Sequence, residues 1–177
     1  MTRRWLGVVP AVVSLLLLLS AGWADRRRDP LNQSEIDQLR DAAQDPEQRL
    51  KLFVTFARTR LTALEQARSD PKTTDRAQKT HDELQDFIDI YDELNDNLDT
   101  FVARKADLRK PLKLVIQADT EFQARLRAVK SASDSRTPEA SQYEFLLTTA
   151  LDTVDSSVED HRQLLAEQEE AAKHRKK

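Results

Sequence analysis

From residue 33 onward the chain repeats apolar side chains at three- and four-residue intervals and does not alternate them, which is helical rather than strand patterning. Before Leu31 the pattern is different: Trp5 to Leu19 is an apolar run behind Arg3 and Arg4. In "LNQSEIDQLRDAAQ", Asn32 and Glu35 fit a capping box and Leu31 and Ile36 a hydrophobic staple, predicting a short helix over 33–44. Asp45 then serves as N-cap with Pro46 at the first helical position. Leu50, Phe53, Val54, Ala57, Leu61 and Leu64 carry that second helix to about residue 68. Pro71 lies in the loop that follows.

The third helix begins near Asp75 and has the clearest period. Ala77, Leu84, Tyr91 and Leu98 fall seven residues apart, beside the row Phe87, Leu94 and Phe101. This face is wider than a two-stranded coiled-coil seam and belongs to a bundle. Leu112, Val115, Phe122, Leu126 and Val129 continue the pattern beyond Pro111. The register survives across that proline, so two readings stand: one long kinked helix, or a helical hairpin with Asp107 as N-cap of a fourth helix. A proline inside a helix costs ~3 kcal/mol and much less in its first turn. The other prolines from Pro30 on all mark boundaries, which favours the hairpin. Thr137 and Pro138 open a last helix whose core row runs Tyr143, Leu147, Ala150, Val154, Val158, His161 and Leu165.

The expected architecture is therefore all-α. Four long helices, 46–68, 75–105, 108–131 and 138–169, form an up-and-down four-helix bundle with short loops, and the 33–44 helix packs across one end. Folding at the Ser-rich "KSASDSRT" brings Asn95, Asp119 and Thr149 into one layer. That layer is either a polar break in the core or a place where Asp119 reaches water from a helix edge.

Composition narrows the function. Both glycines, Gly7 and Gly22, lie in the first 24 residues. The rest of the chain lacks the residue that P-loops, dinucleotide-binding turns and nucleophile elbows require. The chain has no cysteine, so it has neither a disulfide framework nor a lipid-anchor thiol. Gly22 and Ala24 have the −3/−1 spacing of a signal peptidase site, predicting a signal peptide over 1–24. The alternative is an uncleaved anchor, since Trp5 to Ala24 reaches the ~20 residues a bilayer span needs. Both readings export the remainder: a linker over 25–32, a bundle domain over 33–170 and a basic tail over 171–177. A formal net charge of −3 gives no reason to expect nucleic-acid binding.

Catalytic and metal chemistry find no support in the spacing. The Glu-x-x-His pairs of a diiron bundle are missing, because Gln78 precedes His81 and Val158 precedes His161 at that interval. No serine has a readable base or oxyanion partner. No catalytic residue, cofactor or metal is assigned. Two charge patterns are the candidate contact surfaces. The stretch "HDELQDFIDIYDELNDNLD" carries Asp82, Glu83, Asp86, Asp89, Asp92, Glu93, Asp96 and Asp99 without a lysine or arginine. These acids fall off the core rows, predicting an acidic outer face, either simply solvated or a docking stripe. The stretch "RKADLRKPLK" carries Arg104, Lys105, Arg109, Lys110 and Lys113, and in the hairpin it shares a pole with the basic tail. The pole is either ordinary surface charge or a contact for anionic lipid or envelope polymer, where a basic cluster gains about 1 kcal/mol per charge. Self-association of pole and stripe would weaken with salt, because exposed charges are screened beyond ~8 Å at physiological ionic strength.

The run "RKADLRKPLKLVIQADTEFQARLRAVK" and the layout of leader, capping segment and "DPEQRLKLFVTFARTRL" resemble an uncharacterised family of exported bacterial helical proteins. The resemblance implies a compartment and a fold but no activity. Stress-induced periplasmic helical chaperones offer a second likeness, yet "LTALEQ" places Gln66 one position late for their Leu-Thr-x-x-Gln motif. The expectation is an exported, non-enzymatic bundle that binds or scaffolds a protein or an anionic component of the cell envelope. It touches the membrane only peripherally or through its N-terminus. The alternative is an extracytoplasmic chaperone.

Overall fold

The computed structural model describes residues 29–133 and 137–174. The proposed signal segment, the beginning of the linker, the middle of the Ser-rich loop and Arg175 to Lys177 lie outside the described residues. Among those described, the chain forms helices and no strands: α1 (Gln33–Asp41), α2 (Pro46–Ser69), α3 (Arg76–Ala103), α4 (Arg109–Ala132), the single turn α5 (Pro138–Ser141) and α6 (Glu144–His174). None of these helices is long and apolar enough to cross a membrane.

Local chemistry sets the boundaries. The capping box at α1 is complete: Glu35 N–H donates to Asn32 Oδ1 at 3.0 Å, and Asn32 N–H donates to Glu35 Oε2 at 2.9 Å. Asp45 Oδ1 caps Gln48 N–H of α2 at 3.1 Å, with Pro46 opening the helix. The corner after α3 shows why the chain turns there. Lys105 takes a left-handed conformation, φ 58°. Its N–H donates to Val102 O and the N–H of Ala106 donates to Phe101 O, which is the Schellman pattern of helix termination. Glycine usually fills that position; here a lysine holds it at a steric cost of roughly 1–2 kcal/mol.

The hairpin reading thus holds at Pro111, which lies in the first turn of α4. The N-cap is Leu108 rather than Asp107. Asp107 sits one residue too early, and its carboxylate takes the Arg109 N–H at 3.2 Å instead.

The long helices do form an up-and-down bundle, with α3 and α4 on its diagonal. α2 packs against α3 and α4, and α6 packs against α4 and α3. The neighbours α2/α4 and α3/α6 are consequently parallel. The core is continuous, from Leu50, Phe53 and Leu61 of α2 through Leu84 and Leu94 of α3, Leu112 and Leu126 of α4, to Val154 of α6. At its centre Phe122 of α4 meets Phe87 and Tyr91 of α3 edge to face, with centroids 5.4 and 6.2 Å apart. Such contacts add ~0.5–1.5 kcal/mol beyond burial.

Two expectations need correction. The first helix does not cross one end of the bundle. It lies along the side of α2, held by two arginines of that helix. Arg60 binds Glu35 at 2.6 Å and the Pro30 carbonyl at 2.6 Å, while Arg49 donates to the Leu39 carbonyl and to Asn97 of α3. The last helix is also divided. Tyr143 turns inward between α5 and α6, where Arg68 Nη1 donates to its hydroxyl and the guanidinium lies 5.3 Å from the ring centre. This wider turn shifts the register of α6 against α4. Asp119 therefore faces His161, about three turns beyond Thr149.

Candidate functional site

Three polar features could carry a function, and packing treats each differently. The corner cations are largely engaged within the molecule. Arg109 pairs with Asp107, Lys110 with Glu47 of α2 at 2.7 Å, and Lys113 with Glu169 of α6 at 2.9 Å. Lys113 holds the Glu169 carboxyl below its ordinary range, and Asp107 strengthens the protonated state of Arg109. Arg104 lies 6.0 Å from the centre of the Phe101 ring. Lys105 is exposed at the left-handed corner. The cations do share one pole, but acids from α2 and α6 interleave with them, so the pole is mixed rather than uniformly basic.

The acidic face is more nearly bare, with one exception. Asp86 is only 8% exposed and lies 3.9 Å from Arg60 Nε, whose other edge binds Glu35 of α1. Because α1 runs along α2, it brings this ion pair over Asp86, and that residue leaves the outer surface. Asp82 accepts from Gln78 at 2.8 Å and Asp89 accepts from Gln85 at 2.8 Å. Among the described residues, Asp89, Asp92, Glu93 and Asp96 form no ion pair with a lysine or arginine. The nearby charges of Asp89, Asp96 and Glu93 add to burial in pushing the Asp92 carboxyl above its ordinary range, with burial the larger cause.

The third feature lies inside the bundle. Asp119 is fully buried on α4 and joins two other helices. The Tyr91 hydroxyl of α3 donates to its Oδ1 at 2.7 Å, and His161 Nδ1 of α6 lies 2.9 Å from its Oδ2. The other ring nitrogen, Nε2, is 3.2 Å from Asn95 Oδ1, and Asn95 Nδ2 donates to Ser157 Oγ at 3.1 Å. The Asp119 carboxylate can only accept when ionised, so the imidazole donates to it from Nδ1. Burial is the main cause, with the Asp119 charge, that pushes the Tyr91 hydroxyl strongly upward and keeps it a proton donor. Asp119 is thus a core residue bridging three helices and does not reach water at a helix edge. Asn95 and Asp119 do share a layer, with His161 in the place expected for Thr149.

The network resembles no nucleophilic triad. Ser157 contacts Asn95 rather than the histidine, so the imidazole is not placed to take a proton from it. Among the described residues, no group of three or more His, Asp or Glu side chains is arranged to hold a metal ion.

Pairing also differs between the bundle's seams. The α2/α4 seam carries Arg58–Glu121 and Arg125–Glu65, each at 2.8 Å. The α4/α6 seam carries Arg127–Asp155 at 3.0 Å besides Lys113–Glu169. Among the described residues, the α3/α6 seam has no such ion pair. Its polar contacts include those of Asn95 with Ser157 and His161, and Asp99 and Asp160 lie beside them. Comparison with protein-family models, curated proteins and solved structures finds no match to this chain. The reading of its function rests on these residues.

Proposed function

We propose that this protein is an exported, non-catalytic binding or scaffolding protein of the cell envelope whose working surface is the acidic face of α3. The N-terminal pattern of cations, apolar run and Gly22/Ala24 spacing supports export. One observation carries the rest: Asp89, Asp92, Glu93 and Asp96 crowd two turns of one helix and, among the described residues, form no ion pair with a lysine or arginine, Arg49 acting on Glu93 only at longer range. The other seams neutralise their charges with arginine or lysine. Like charges at this spacing weaken a helix slightly, and Asp92 bears that cost directly. A basic partner would relieve it, and the opposed fields would steer the encounter. The preferred contact is therefore a cationic polypeptide.

The test is binding of the purified protein to an oligolysine and to anionic vesicles across a salt series. The proposal expects salt-sensitive oligolysine binding that D92N/E93Q/D96N sharply weakens. Binding to anionic vesicles that survives this substitution and is lost on neutralising Arg104, Lys105, Arg109, Lys110 and Lys113 would move the working surface to the corner.

A further inference from the structure

At the α3/α6 seam the helices leave a cleft of about 320 Å³. This volume is at the lower end of what small-ligand sites offer. One end of the cleft is apolar, made by Val102 of α3 and Leu164 of α6 beside the buried Leu98. Val102 is one of only two large apolar side chains exposed among the described residues. One turn back along both helices the lining is acidic. Asp99 comes from α3 and Asp160 from α6, both are exposed, and neither has a hydrogen-bond or ion-pair partner for its carboxylate among the described residues. The floor is polar and buried: Ser157 is 8% exposed and His161 5%, and Asn95 lies between them.

An occupant must therefore carry both an aliphatic stem and a cation. The apolar wall excludes a fully hydrated ion as the best fit, and the paired carboxylates disfavour an anion or a neutral apolar group. We propose that this cleft receives the side chain of a lysine from a partner polypeptide. Its methylenes lie on Leu98, Val102 and Leu164, and its ammonium sits between Asp99 and Asp160. Lysine commonly buries its stem while its charged head meets polar groups. A peptide source is favoured over a free amine because Asp96 and Asp92 continue the acidic face one and two turns from Asp99 on α3, where neighbouring basic residues of the same partner would lie. The inference deepens the binding function proposed above and rests on it for the identity of the partner, though not for the chemistry of the cleft.

The experiment is an NMR titration of the full chain, following the Asn95 side-chain amide and the His161 ring. The probes are acetyl-Gly-Lys-Gly-amide, the same peptide with norleucine in place of lysine, and n-butylammonium. The lysine peptide should give saturable shifts at both reporters. The norleucine peptide should bind at least about tenfold more weakly, a difference of 1.4 kcal/mol. D99N/D160N, exposed and nearly isosteric, should weaken the lysine peptide to the same degree. Equal response to norleucine, or an unchanged response in D99N/D160N, overturns the site. Butylammonium binding as tight as the lysine peptide overturns the peptide source. The variant D92N/E93Q/D96N separates the two proposals, because it should weaken oligolysine to about the affinity of the short lysine peptide, which still occupies the cleft. If oligolysine binds the unaltered protein no more tightly than the lysine peptide does, and D92N/E93Q/D96N changes neither, the α3 face is wrong and the cleft stands.

Discussion

Replacing Asp119 with alanine removes a buried group that ties α3, α4 and α6 together through polar contacts. The side chain is fully buried, and its two oxygens accept from the Tyr91 hydroxyl and face His161 Nδ1. The substitution removes the carboxylate acceptor from the Tyr91 hydroxyl and from His161 Nδ1, both buried. Each stranded group costs about 1–3 kcal/mol, and breaking a buried pair by removing one partner costs about 3–5 kcal/mol. A loss of roughly 4 kcal/mol is a large share of the 5–15 kcal/mol typical of a domain. With a urea slope of about 2 kcal/mol per molar, the midpoint should fall by about 2 M. The comparison that gives the number meaning is Tyr91→Phe. It removes one hydroxyl and leaves the carboxylate its histidine, so it should cost only about 1 kcal/mol. Urea unfolding of the two variants beside the parent measures both. A loss below about 1 kcal/mol for Asp119→Ala, or equal losses in the two variants, would refute the claim that Asp119 anchors a matched network.

Further outcomes follow from the same contacts. Lys105→Gly should stabilise the fold by about 0.5–1 kcal/mol, because glycine accepts the left-handed corner without a Cβ clash and the gain exceeds its added unfolded-state entropy; thermal unfolding reads this. Asp92→Asn should stabilise slightly at pH 7, by roughly 0.2–0.5 kcal/mol after allowing for solvent screening. The sign follows from its raised carboxyl: the folded state binds the proton more readily, so stability falls as pH rises through that window, and the variant should lose its advantage below about pH 3. Glu121 titrates the other way. Arg58 and then Arg125 hold its carboxyl low, so its contribution is present above the ordinary glutamate range and disappears as pH falls through the lowered value. Glu121→Gln should remove that part of the acid dependence, worth at most about 1 kcal/mol for groups this exposed.

Most of the fold was legible in the sequence because its punctuation is local. Asn32 with Glu35, Asp45 with Pro46, and Thr137 with Pro138 each mark a helix start through chemistry within one turn. Pro111 was ambiguous for a local reason, since the apolar register continues across it. The left-handed turn at Lys105 settles it, and a lysine gives no sign of that conformation in sequence. What could not be read depends on distances between elements. The Asp119–His161 pairing requires the register of α6, and that depends on the inward turn at Tyr143. Counting residues from the Ser-rich loop assumes a tight return and brings up Thr149 instead. Asp86 falls on the polar side of its own helix, and only the path of α1 with Arg60 explains its burial. The diagonal placement of α3 and α4 was equally hidden, because neighbours in sequence are ordinarily neighbours in a bundle. The periodicity of α6 did place His161 on the core row. A histidine and an aspartate both on core rows of facing helices were the available signal for the buried network.

The central claim is that the acidic face of α3 is a contact surface for a basic polypeptide. Its most direct test is the dissociation constant for a ten-residue oligolysine at about 50 and 200 mM salt, measured for the parent and for D92N/E93Q/D96N. The account predicts binding that weakens with salt and falls sharply in the variant, to about the level of a single lysine peptide, with thermal stability unchanged or slightly raised. Salt-sensitive binding that persists undiminished in the variant, or no binding by the parent at low salt, would contradict it.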